Sequence, residues 1–230
     1  MKPKPNYPFW RKAFRTASDE DLDQLHEKFY KARGIEMHPL TVYDPVEKRT
    51  ISPSLLTKDL FVKKLILEKD DMKTLLNVAF WHGNFAFNMG FEGFHVDGIE
   101  CYKKAVDMAI KTQNTLPPEI ASRFNFYYGL AEHLDGYPKY DITVNHCLEH
   151  VRDPKHVMIE NLEHLKPNGY AYFTPPLRHG CDSPTHLHHF MEKKDLLKLL
   201  PTGFKANIHR VKFQASSPRV NIFVMEVYHK

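Results

Sequence analysis

The sequence predicts an α/β protein: a mainly parallel sheet with helices on both faces and a helical extension at the N-terminus. Three observations carry this reading. From Lys73 onward, short apolar runs alternate with helical patterns, as expected of stacked βαβ units. Two closing runs rich in Phe, Val and Ile, near 204–213 and 219–228, are separated by Ser216, Ser217 and Pro218 and suit an antiparallel pair at a sheet edge. Before residue 70 the texture differs, with prolines breaking up two helical periodicities.

Residues 1–17, rich in Pro, Lys and aromatics, read as an arm that Phe9, Trp10 and Phe14 pin to the body. Ser18 with Asp21 forms a capping-box-like pair, and Leu22, Leu25 and Phe29 then recur at helical spacing up to Gly34, a left-handed stop. Residues 35–53 look irregular because of Pro39, Pro45 and Pro53, and Leu55 to Glu68 reads as a second helix. Strands are expected near 74–79, 94–99, 124–128, 140–145 and 169–174, with helices near 84–89, 101–112 and 154–166. Asp153 caps the last of these, Pro154 suits its first position, and Asn168-Gly169 turns the chain after it. A further helix near 191–200 ends at Pro201 and Gly203. The division is therefore 1–70, an arm and helical lid, and 71–230, the α/β domain.

Composition narrows the function. A chain of 230 residues with 42% hydrophobic content supports one sizeable core. A net charge of +4 is too mild to signal nucleic-acid binding. The one basic cluster is Lys2, Lys4, Arg11, Lys12 and Arg15, read as a solvated tail or a contact for an anionic surface. No run approaches the ~20 apolar residues of a membrane span, and no secretory signal is present. Cys101, Cys147 and Cys181 are odd in number and widely spaced, which fits reduced thiols in a cytoplasmic protein. A homodimer is compatible with the chain, although no apolar heptad marks an interface.

The informative stretch is Leu75-Leu76-Asn77-Val78-Ala79-Phe80-Trp81-His82-Gly83-Asn84, a strand, a tight loop and a helix start. A second strand follows and ends at Glu100. A loop that lets backbone approach a ligand, free N–H groups at a helix start and an acid placed for ribose hydroxyls make a nucleotide-type site. Such a ligand lies at the carboxyl ends of the strands, where the sheet order reverses.

These motifs resemble those of class I S-adenosylmethionine-dependent methyltransferases, the broad group acting on small molecules such as quinones and sugars. The family's loop reads Leu-Asp-Val-Gly-Cys-Gly-x-Gly; Gly83 matches its last glycine and Glu100 its ribose-binding acid. Phe126 to Leu134, including Leu130 and Ala131, resembles the segment that brackets the adenine. Tyr140 to Val151 with Asp153-Pro154 resembles the fourth-strand motif, and Leu165-Lys166-Pro167-Asn168-Gly169 the approach to the fifth strand. Thr174-Pro175-Pro176 and His186 to Phe190 also match, so the resemblance covers about residues 55–213. It implies a Rossmann-like seven-stranded sheet, S-adenosylmethionine as cofactor, and methyl transfer to a small-molecule or saccharide acceptor. The cofactor positions it implies are Asn77, Ala79, Trp81, Gly83, Glu100, Cys101, Leu130, Ala131 and Asn145.

Three positions depart from the pattern. Asn77 replaces an acid, Ala79-Phe80-Trp81 replaces Gly-Cys-Gly, and Leu130 replaces the acid that pairs with the adenine amino group. Each lost charge-assisted hydrogen bond costs about 1.5–3 kcal/mol. The altered loop therefore leaves open a second reading, a catalytically degenerate protein on this fold serving as a binding or scaffold subunit. For transfer to oxygen, a histidine is the natural base. His146 stands where the fourth strand ends, His150 is one helical turn on, and His186 or His188 lies downstream. The spacings His146-x-x-x-His150 and His186-Leu187-His188-His189 are ligand-like, but the second coincides with a family segment that binds no metal, so no metal is expected.

Overall fold

The structure, a computed structural model, describes residues 7–177, 183–212 and 221–230. The features noted at Lys2, Lys4, Cys181, Ser216, Ser217 and Pro218 lie outside the described residues.

The stretch read as an arm carries a helix, α1 (Tyr7–Thr16), which the sequence reading had not placed there. Trp10 and Phe14 are four residues apart and share one face, and the Phe14 ring meets Phe29 edge-on at 5.6 Å. Arg11 and Arg15 donate to the carbonyls of Ser183 and Leu187 at 3.4 and 3.3 Å. Two members of the basic cluster thus dock the arm on the body. In α2 (Leu22–Ala32) the Ser18 hydroxyl donates to Asp21 at 2.7 Å, forming a turn ahead of the helix, so the helix starts four residues later than the sequence suggested. Gly34 takes φ +62° and the Ile35 N–H reaches the Tyr30 carbonyl at 2.9 Å, closing the helix with a left-handed residue. The stretch read as irregular holds a small hairpin, β1 (Tyr43–Asp44) with β2 (Arg49–Thr50). It is followed by α3 (Thr57–Leu67).

The main sheet comprises β3 (Thr74–Val78), β4 (His95–Glu100), β5 (Phe124–Tyr128), β6 (Tyr140–Asn145), β7 (Leu165–Phe173), β8 (Phe204–Lys212) and β9 (Asn221–His229). Their order is β5-β4-β3-β6-β7-β9-β8, with β3 to β7 parallel and β9 antiparallel to both its neighbours. The chain direction across the sheet reverses between β3 and β6, so the crevice for a ligand lies above these two strands. Alternation sorts the side chains. Leu75 joins the core that α3, α4 (Asn84–Phe91) and α5 (Lys103–Gln113) cover with Val62, Phe87 and Val106. Leu76 joins the opposite core, covered by α7 (Pro154–Glu163) and α8 (Lys193–Leu197) with Met158 and Leu196. A short helix, α6 (Pro118–Ala121), precedes β5.

Two boundaries move for local reasons. Asp153 accepts from the amides of Lys155 and His156 at 3.0 Å and starts α7 as expected, but the helix ends at Glu163, because Leu165 already pairs with Tyr140 of β6. Asn168, at φ +66°, and Gly169 then form an irregularity inside β7 instead of the turn before it. The C-terminal helix is half as long as expected; a capping box between Glu192 and Asp195 fixes its start.

Candidate functional site

The loop after β3 keeps the backbone of a glycine-rich turn without its glycines. Ala79 (φ +58°) and Trp81 (φ +54°) are left-handed, as is Gly83 (φ +80°). Left-handed backbone costs an L-residue about 1–2 kcal/mol, so surrounding contacts must hold it. They are visible. The Ala79 N–H donates to the Ile99 carbonyl at 2.8 Å. The Phe80 ring turns into the core against Phe126, over Gly98, where an added Cβ would lie 2.7 Å from it. The Trp81 ring leaves the sheet and packs on Tyr30 of α2 at 4.6 Å and, in stacked orientation, on Tyr102 at 6.2 Å. Gly83 caps α4.

Glu100, at the end of β4, faces this loop and is 6% exposed. One carboxylate oxygen accepts the Trp81 N–H at 3.0 Å; the other accepts the Tyr102 N–H at 3.1 Å and the Cys101 thiol at 3.5 Å. A carboxylate offers about four lone-pair sites, and with the Cys101 N–H these donors occupy them, so a ligand hydroxyl enters by replacing one. Burial pushes its pKa up against these hydrogen bonds. Burial likewise raises the free thiols of Cys101 and Cys147 well above the usual range, leaving both as unreactive wall residues.

A cavity of about 540 Å³ opens between the strand ends and the N-terminal helices. Ala79, Trp81, Glu100, Cys101, His146 and His150 line it, joined by residues the sequence did not single out: His26, Tyr30, Lys58, Asp59 and Glu149. A smaller chamber of about 80 Å³ adjoins it and is walled by Ile99, Leu130 and Ala131. The structure thus brings together most expected positions. Gly83 does not line the cavity; its neighbours Trp81, His82 and Asn84 do. Asn77 and Asn145 do not line it either. Both are nearly fully buried, on paired strands, and each leaves one amide atom without a partner, Oδ1 of Asn77 and Nδ2 of Asn145.

The histidines sort by their partners. His146 Nδ1 lies 2.9 Å from Thr174 Oγ1 and 3.2 Å from Lys58 Nζ; burial, then Lys58, hold its pKa well below the usual imidazole value. His150 Nδ1 lies 3.2 Å from the Thr185 carbonyl, and a carbonyl only accepts, so Nδ1 carries the proton and Nε2 the lone pair. That Nε2 is 3.6 Å from Glu149 Oε1. Burial pulls the His150 pKa down to about 4 and raises that of Glu149, whose other oxygen has no partner. The His186 ring meets His150 edge-on at 4.7 Å, and ligand-type atoms of Glu149, His150 and His186 come within 4.8 Å of one another. This is the one such grouping among the described residues, and it includes two of the histidines that sequence spacing had placed in separate segments. His188 is drawn away, with Nε2 3.1 Å from the Arg152 carbonyl.

Lys58, Asp59 and His26 carried no signal in the sequence. They sit on helices of the extension, where charged residues ordinarily face solvent, and only tertiary packing turns them inward. Glu149 and Thr174 stood inside recognised motifs but were not singled out.

The comparisons with known proteins agree with this geometry. A family profile described as a methyltransferase domain matches residues 56–217. The ubiquinone biosynthesis O-methyltransferase of Photobacterium profundum is 29% identical over 134 residues, 57% of this chain and 54% of that protein. The enzyme of the same description from Rickettsia conorii is 29% identical over 100 residues, 42% of this chain and 32% of that protein. The chain spans about half the length, or less, of the curated relatives it matches. Among solved structures, the glycopeptide N-methyltransferase MtfA in complex with S-adenosyl-L-methionine superposes with a TM-score of 0.61 at 12% identity, over 79% of this chain and 98% of that one. The N-methyltransferase NodS from Bradyrhizobium japonicum gives 0.60 at 12% identity, over 75% and 94%. At such identities the likeness establishes the fold. No helix among the described residues is long and apolar enough to cross a membrane.

Proposed function

Since the chain belongs to the methyltransferase domain family, we propose that it transfers a methyl group from S-adenosylmethionine to a small-molecule or saccharide acceptor. The observation that carries this reading is the pairing of the left-handed 79–83 loop with the Glu100 carboxylate at the mouth of one cavity. A volume of about 540 Å³ is within the range of small-molecule sites. The residues suit the cofactor. Glu100 lines the cavity where a ribose hydroxyl can replace one of its donors, Leu130 and Ala131 wall an apolar chamber for the adenine, and the Trp81 ring packs on Tyr30 at the cavity wall. When bound, S-adenosylmethionine supplies an electrophilic methyl on a good leaving group.

The chain's own work is then positioning and proton handling. His150 presents the Nε2 lone pair to the cavity and takes the proton of an acceptor hydroxyl or amine. Burial lowers its pKa, and Glu149 beside it stabilises the imidazolium once the proton arrives. His186 packs against His150 and fixes its ring. The extension, through Tyr30 and His26, closes the site from above as a lid and limits water.

Isothermal calorimetry with S-adenosylmethionine and S-adenosylhomocysteine tests the reading. Binding is expected, and Glu100→Gln should weaken it about ten- to a hundredfold, the equivalent of one charge-assisted hydrogen bond. No heat at millimolar ligand sinks the proposal and leaves the fold as a binding or scaffold subunit.

A further inference from the structure

Lys58 is a partly buried ammonium without a hydrogen-bonded counter-anion. Its side chain is 16% exposed. Its hydrogen-bond partners among the described residues are His146 Nδ1 and Thr174 Oγ1, both at 3.2 Å and both neutral acceptors. The nearest carboxylate, Asp59, is 3.9 Å away, beyond hydrogen-bond range; its Oδ1 has no hydrogen-bond partner and lies 3.8 Å from His146 Nδ1. Burial raises the Asp59 pKa, against the opposing pull of Lys58. Glu149 also faces the cavity but pairs toward His150 and His186. Removing an ammonium from water without a paired anion is costly, and the cost is recovered when an anion arrives.

The geometry also fixes the role of His146. A lysine ammonium only donates, so Nδ1 of the neutral imidazole accepts and the ring proton sits on Nε2. Thr174 accepts from Lys58 and donates to the same Nδ1. His146 Nε2 is buried and has no hydrogen-bond partner, and the ring lies edge-on to Phe85 at 5.7 Å. The lone pair of His146 is therefore committed to Lys58 and Thr174, and no second one faces the cavity. His146 is a positioning residue and not the base its place at the end of β6 suggested.

We propose that Lys58, held by His146 and Thr174, is the anchor of the acceptor pocket and binds an acidic oxygen of the acceptor, a carboxylate or an ionised hydroxyl. The inference rests on the methyltransferase reading for the word acceptor; the placement of Lys58 stands on its own geometry. The remaining N–H of the ammonium is available to the anionic end of a guest in the cavity that Lys58 and His146 both line. The acceptor class is thereby narrowed from any small molecule or saccharide to molecules carrying an acidic oxygen.

The experiment has two arms. In the first, histidine ¹⁵N shifts are read in the full chain. The proton of His146 is expected on Nε2 in the wild type and in Lys58→Arg, with tautomer exchange in Lys58→Met; a proton resident on Nδ1 overturns the placement. In the second, benzoate, 4-nitrophenolate and benzyl alcohol are titrated into protein saturated with S-adenosylhomocysteine. At least one anion is expected to bind about tenfold or more tightly than the neutral alcohol. That preference should be kept in Lys58→Arg and lost in Lys58→Met. Which anion binds separates a carboxylate from an ionised hydroxyl. Equal binding of the alcohol, undiminished binding by Lys58→Met, or no binding of either anion overturns the proposal. Failure to bind S-adenosylhomocysteine at all defeats the methyltransferase reading instead, while the first arm still decides where Lys58 sits.

Discussion

Ala79 and Trp81 are the residues at which this chain departs most from what a cofactor loop ordinarily holds, and the backbone has not followed the side chains. Both remain left-handed, so the strain is carried locally and offset by the Phe80 and Trp81 rings, which are anchored on opposite sides of the loop. The methyl of Ala79 contributes a partly buried contact beside the core under β3. Ala79→Gly removes the left-handed penalty of about 1–2 kcal/mol but adds backbone freedom to the unfolded chain worth about 0.5–1 kcal/mol. A net stabilisation of up to about 1 kcal/mol is expected by urea unfolding. A less stable variant would mean that the methyl's packing outweighs the strain. Trp81 differs, because its ring packs on Tyr30; its cost at φ +54° is exchanged for a contact that ties the loop to α2.

Among the elements, α4 shows how tightly the site's scaffold is set. Its eight residues include Gly90, where a Cβ would fall 2.1 Å from two atoms of the Phe124 ring on β5. That ring is 1% exposed and stacked with Phe126 at 6.1 Å, so it has nowhere to go. Gly90→Ala should destabilise by about 1–3 kcal/mol through overpacking, read as a lower melting temperature with an unchanged far-ultraviolet spectrum. Loss of less than about 0.5 kcal/mol would show that α4 can shift away from β5. The same close approach places the N-terminus of α4, and with it His82 and Asn84, at the cavity wall. In contrast, α1 and α2 reach the site through a satellite cluster of Phe14, Phe29 and Leu187, separate from the two cores flanking the sheet. Elements held by a small satellite cluster open more easily than the core helices.

Across the whole molecule, the density of buried titratable groups around one cavity gives the fold a pH signature. Burial holds His26 and His150 at about 4, against about 6.5 for an exposed histidine. The unfolded chain therefore binds more protons between those values, and the histidines' contribution is complete above about pH 6.5 and is lost as pH falls to about 4. Glu100, Glu149 and Asp59 act in the opposite sense, because burial raises their pKa values and protonation relieves the cost of burying them. Comparing the wild type with His26→Gln isolates one histidine from these opposing groups. The melting-temperature difference in favour of the wild type should shrink as pH is lowered from about 7 to about 4. A constant difference would show that His26 takes up its proton as readily in the fold as out of it. The sequence by itself determined the parallel sheet, the antiparallel closing pair, the loop after β3 and the acid at Glu100, because periodicity and motif spacing are local and survive in one dimension. It could not determine that the arm is a docked helix, that Trp81 turns toward Tyr30, or that Lys58 commits the lone pair of His146. Those outcomes depend on which groups meet across long stretches of chain and on what burial does to their charges, and only the tertiary structure decides that.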